Sequence, residues 1–158
     1  MAELLAAQPP MSAAGRATEA PGVEVRTSEA PGVEVRTSEA PGADLAAELE
    51  GVRLLVVVDA ALAGDDFPPG TWRRIDYGRD DARLIARHLA RPAVSGHTLG
   101  VAEGLELARA LGVLPPTVWI YVIAGGDFGY GAALTAPVEA AVSTVADQIR
   151  ADVAAWQA

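Results

Sequence analysis

Apolar and polar positions change their pattern several times along the chain. Leu54–Val58, LLVVV, is a continuous branched apolar run that stops at Asp59. Such a run reads as a strand covered on both faces. Thr117–Ile123, TVWIYVI, reads the same way, whereas Thr71–Tyr77, TWRRIDY, alternates and predicts a more exposed strand. Helical spacing predicts Asp44–Glu50, with Asp44 near its start, and Asp80–Ala90, closed by Pro92. It predicts a further helix over Gly100–Leu111, with Val101, Leu105, Ala108 and Leu111 on one face and Gly112 as the stop. The last helix opens at Thr135 with Pro137 in its first turn. Its stripe is Val138, Val142, Val145, Ile149, Val153 and Trp156. Ala2–Ala7, AELLAA, predicts a short helix or the end of a longer one. The alternation of strand and helix implies an α/β layered domain with a mainly parallel sheet.

Before this pattern stands a repeat. Ala20–Glu29 recurs unchanged as Ala30–Glu39, and a third copy breaks off after Gly42. Each unit joins a breaker, APG, to a strand-like VEVR. Solenoid units bury a shared face and run to about 20 residues or more. A unit with two valines cannot do that, so a flexible or hairpin-like insertion is expected. The chain therefore divides into an irregular N-terminal segment, residues 1–42, and an α/β domain, residues 43–158.

Composition narrows the function. The 158 residues are 51% apolar, enough for a real core, and the net charge of −9 argues against nucleic acid or an anionic membrane as partner. No apolar run approaches the roughly 18 residues of a membrane span, and Met1–Gln8 does not read as a signal peptide. A cytoplasmic location is expected. Cysteine is absent, which removes disulfides and thiolate metal sites and leaves His88, His97 and the carboxylates as metal ligands.

Ligands in open α/β sheets bind outside the carboxyl ends of the strands, which is where Asp59 falls. A carboxylate there is costly to bury unless bonded or bound to a cation; it could equally cap the following turn. His97, in SGHTLG, precedes the Gly100–Leu111 helix. A helix N-terminus disfavours imidazolium and favours the neutral, metal-ligating form, and a loop histidine bonded to backbone is the alternative. His88 reads as a half-buried packing residue. AGGDFGYG, after the second buried strand, lacks the Lys-Ser or Lys-Thr of a phosphate loop. Its glycines read as letting a loop pass close to the site, Asp127 as a turn residue, and Asp65 and Asp66 as solvated loop acids. No G-x-S-x-G nucleophile elbow occurs.

Three stretches in order, LLVVVDAALAGDDFPPGTWRRI, SGHTLGVAEGLELARALGVLPPTVWIYVI and GDFGYGAALTAPVEAAV, carry a resemblance. From about Pro41 to Trp156 the chain resembles the hydrogenase maturation proteases. These endopeptidases trim the C-terminus of the nickel-iron hydrogenase large subunit. The resemblance implies a three-layer α/β/α sandwich around a mixed sheet, phosphorylase/hydrolase-like. It makes Leu54–Val58, Thr71–Tyr77 and Thr117–Ile123 the third, fourth and fifth of five strands.

The resemblance also implies a site. The family's DA dipeptide matches at Asp59 and its H-x-x-G histidine at His97, so both are expected to be catalytic residues and nickel contacts. The nickel is carried by the substrate, the hydrogenase large-subunit precursor. The third family ligand lies in a segment, strand then G-N-x-L-x-x-D-[DE]-G, that this sequence does not contain. The first, central strand is expected to be missing with it, leaving the VEVR units as the spare strands. A monomeric endopeptidase is the expected function. The alternatives are an inactive truncated homologue that only binds the precursor, and a small-molecule hydrolase of the same fold.

Overall fold

The computed structural model describes residues 2–7, 23–27, 32–38, 41–79, 100–129 and 133–158. Its strands are β1 (Ala2–Ala7), β2 (Val23–Thr27), β3 (Val33–Ser38), β4 (Leu54–Leu62), β5 (Trp72–Asp76) and β6 (Thr117–Gly125). Its helices are α1 (Pro41–Glu48), α2 (Val101–Ala110) and α3 (Ala136–Gln157). The strands form one six-stranded sheet in the order β2-β3-β1-β4-β6-β5.

Period-two alternation sorts β4 and β6 between two clusters. Leu55, Val57 and Ala61 join Val118, Ile120, Val122 and Ala124 beneath Leu45 of α1, Leu49 just after it, and Val101, Leu105 and Ala108 of α2. Leu54 and Val56 join Trp119, Tyr121 and Ile123 beneath Ala141, Val145, Ile149 and Val153 of α3. The result is the expected three-layer α/β/α sandwich. Each buried valine or isoleucine of the α3 stripe contributes about 1.5–3 kcal/mol. Ala141 takes the place predicted for Val142, which is 44% exposed.

The sheet is mixed, but not mainly parallel as predicted. Only β4 and β6 are parallel; β1·β3, β1·β4, β2·β3 and β5·β6 are antiparallel. The difference comes from the N-terminal stretch. Predicted to be irregular, it supplies three strands that enter the sheet antiparallel. Ala2–Ala7 is a strand and not the predicted helix. It lies between β3 and β4, from Ala7↔Val33 to Ala2↔Ser38 on one side and from Ala7↔Leu54 to Glu3↔Val58 on the other. The vacancy expected in the middle of the sheet is therefore filled, and by AELLAA in place of a VEVR unit. Two waiting ladder edges outweigh the helix preference of Ala, Leu and Glu, which is worth only tenths of a kcal/mol per residue.

Both VEVR copies are strands. They pair antiparallel from Val23↔Ser38 to Thr27↔Glu34, a hairpin-like arrangement as expected. In β3, Val33 is buried, while Arg36 bonds to Glu34 at 2.6 Å and pairs with Glu48 of α1. The second copy thus feeds directly into α1. Gly112, at φ 73°, ends α2 as predicted. The predicted Asp80–Ala90 helix lies outside the described residues.

Candidate active site

Asp59 is the one buried charged residue among the described residues, 7% exposed. It lies within β4, which continues through Asp-Ala-Ala-Leu to Leu62, and it stands opposite Val122 of β6. The strand outruns its branched run because Ala60, Ala61 and Leu62 remain in register with Ile123, Ala124 and Gly125. By alternation Asp59 shares a sheet face with Val57 and Ala61, the face under α1 and α2. Its Oδ1 accepts the Ala60 N–H at 2.9 Å. Because β4 continues to Leu62, no turn directly follows Asp59 for its carboxylate to cap.

Helix α2 packs on the same face. Its ten residues span about 15 Å and lead into β6 through residues 111–116. Five strand steps from Thr117 to Val122 cover about 16 Å. Val101, at the start of the helix, packs in the same apolar cluster as Val57, Ala61 and Val122. The N-terminal end of α2 carries partial positive charge and favours an anion beside it. His97 precedes Val101 by four positions in the sequence. The readings made for His97 and His88 lie outside the described residues.

The loops at this end of the sheet are tied together. The Ala63 N–H donates to Gly125 O at 3.0 Å, and the Gly70 N–H to Ala124 O at 2.9 Å. Gly64 and Phe67 exchange bonds at 3.0 Å, closing the turn that carries the exposed Asp65 and Asp66. The glycines at the end of β6 and just after it permit close approach, as predicted. A Cβ on Gly125 would lie 2.7 Å from the Phe128 ring, and one on Gly126 would lie 3.2 Å from Pro69. Asp127 accepts the Gly129 N–H at 2.8 Å and so holds its own turn.

A polar network missed in the sequence sits on the opposite face. Arg74 and Tyr121 are direct neighbours in the β5–β6 register. Arg74 Nη1 donates to Asp152 Oδ2 at 2.7 Å, and Gln148 Nε2 donates to Oδ1 at 2.9 Å. The Arg74 guanidinium also stacks over Trp119 at 5.0 Å. The only available signal was a carboxylate inside the apolar stripe of the last helix. The network anchors α3 and is separated from Asp59 by the sheet. Among the described residues, no three His, Cys, Asp or Glu side chains are grouped to hold a metal ion, and no helix is long and apolar enough to cross a membrane.

Comparison with known proteins gives two findings. The family model HycI, described as hydrogenase maturation protease, matches residues 26–152. Among solved structures, the hydrogenase maturating endopeptidase HybD from E. coli superposes with a TM-score of 0.55 at 23% identity. That match covers 71% of this chain and 65% of HybD, just under two thirds of its length. At this identity it supports the fold. Comparison with curated proteins gives no match.

Proposed function

The chain belongs to the hydrogenase maturation protease family, and from that premise we propose that it is an endopeptidase. Its substrate is the nickel-iron hydrogenase large-subunit precursor, and its reaction is removal of the C-terminal extension after nickel insertion. The observation that carries this reading is Asp59. It is a buried carboxylate in an Asp-Ala dipeptide that resembles the family's DA.

In this proposal Asp59 offers a hard oxygen ligand, and His97 an imidazole nitrogen, to the nickel already held by the precursor. Contact with that nickel brings the scissile peptide bond to the site and makes cleavage conditional on metal insertion. Burial keeps water from competing for Asp59, and the Ala60 N–H fixes one of its oxygens. Water is activated either by a carboxylate or by polarisation on the substrate's metal.

The test is to mix the full chain with nickel-loaded precursor and look for the trimmed product. Trimming that needs both nickel and Asp59, and is lost in Asp59→Asn and His97→Ala, is the expected result. Trimming unaffected by either substitution removes the site assignment. Binding without trimming identifies a precursor-binding homologue instead.

A further inference from the structure

Strand register places a second charged side chain on the sheet face that carries Asp59. Val122 stands opposite Asp59 on one side and opposite Arg73 of β5 on the other. Ile75, two positions beyond Arg73, packs in the cluster of Val57 and Val122 beneath α1 and α2. By alternation Arg73 shares that face, so Asp59, Val122 and Arg73 form one row across three strands. Two strand spacings put the Asp59 and Arg73 backbones about 10 Å apart.

The guanidinium of Arg73 is held in place. It lies over the Phe67 ring at 5.3 Å, and Nη2 donates to the Asp66 carbonyl oxygen at 3.2 Å. Asp66 and Phe67 belong to the loop between β4 and β5, and Phe67 is buried in the cluster of the same face. Neither contact neutralises the arginine, because one is an aromatic ring and the other an uncharged carbonyl. Arg74 shows the contrast. It turns to the opposite face and pairs with Asp76 and Asp152. Among the described residues, Arg73 forms no such ion pair. Its planar fork carries several N–H donors, so the bond to Asp66 leaves donors for a further acceptor. Arg73 is half-buried. Stacking has already cost it rotamer freedom, so a carboxylate that binds it requires little more ordering.

We propose that Arg73 is a substrate-positioning residue that binds an acidic side chain of the precursor. The inference rests on the peptidase reading above and adds a second anchor to it. The two anchors are opposite in sign: Asp59 meets the nickel of the substrate, and Arg73 meets a carboxylate. An extended chain advances about 3.3 Å per residue, so the acidic residue lies about three positions from the peptide group beside Asp59. A precursor that offers both charges at this spacing is aligned across the row. One that offers nickel alone is held at a single point.

Trimming kinetics with nickel-loaded precursor test this. Arg73→Met keeps an unbranched, polarizable chain over the Phe67 ring and removes the charge. It is expected to raise KM about tenfold with kcat within about twofold, the scale of one charge-assisted hydrogen bond in a partly exposed setting. Its melting temperature should match the wild type. Arg73→Lys keeps the charge without the fork and should raise KM only about threefold. Added salt should raise the wild-type KM more steeply than that of Arg73→Met. If Arg73→Met does not fold, the KM of Arg73→Lys decides. A wild-type KM in Arg73→Met overturns the inference and leaves the peptidase reading intact. So does a lowered melting temperature with unchanged KM, which reduces Arg73 to a cover for Phe67. A raised KM with the wild-type salt response assigns Arg73 to an uncharged acceptor and also overturns it. Absence of trimming by the wild-type chain removes the peptidase reading and this inference with it.

Discussion

The Tyr121 hydroxyl donates to Asp152 Oδ2 at 2.5 Å, joining the strand β6 to the last helix α3. The same carboxylate accepts from Arg74 and Gln148, so three donors from three elements converge on it. Burial raises the Asp152 pKa, but these hydrogen bonds outweigh it and hold the carboxyl below its usual value. A folded-state pKa below the unfolded one means stabilisation that is present above about pH 4 and lost as pH falls through the folded value. Asp152→Asn is expected to cost about 1–2 kcal/mol at neutral pH, a modest figure because Arg74 is partly exposed. It should also flatten the acid limb of stability. Urea denaturation from neutral to acid pH measures both.

The Tyr77 phenol is pushed up to about 12, by burial first and then by its hydrogen bond to Glu106, against the Arg109 charge. Its pKa is raised in the folded state, so its contribution is complete below about pH 10 and lost as pH rises through the folded value. Phenolate absorbance should show a tyrosine ionising near 12. Tyr77→Phe should remove it.

Gly70 has φ 82°, and a Cβ there would stand 2.6 Å from the Pro137 carbonyl oxygen. Gly51 has a similar φ of 78° but open space around it. Gly70→Ala is expected to cost about 2–4 kcal/mol, strain plus overlap. Gly51→Ala should cost about 1 kcal/mol, strain alone. Parallel thermal melts separate the two causes.

Deletion of Ala20–Glu29 removes one whole repeat and leaves a VEVR copy leading into α1. The shortened chain is expected to keep a five-stranded sheet and melt within a few degrees of the full chain. Deleting Ala2–Ala7 takes out a strand bonded on both sides and should abolish cooperative melting. Circular dichroism distinguishes these outcomes.

Those elements that bury apolar surface on a regular period were legible in the sequence. β4, β6, α2 and α3 carry their own signal, and the sandwich follows from them. β1 was not legible, because AELLAA has the composition of a helix and its strand state depends wholly on neighbours distant in sequence. The extension of β4 through Ala60–Leu62 was hidden for a related reason. Alanine shows little strand preference, and the β6 ladder imposes the conformation. Asp59 could be found because a charge ends a long apolar run. Asp152 could not be, since its partners Arg74 and Tyr121 meet it only through the sheet register.

The strand Ala2–Ala7 is made before either of its ladder partners, Val33–Ser38 and Leu54–Val58. It cannot settle until the middle of the chain has emerged. Closure of the sheet is therefore a long-range event that follows synthesis of β4, and such non-local pairing is slow. During that interval the edges of β3 and β4 stay exposed to other chains. Ala2–Ala7 acts as a bolt that waits until both sides of its slot have been made.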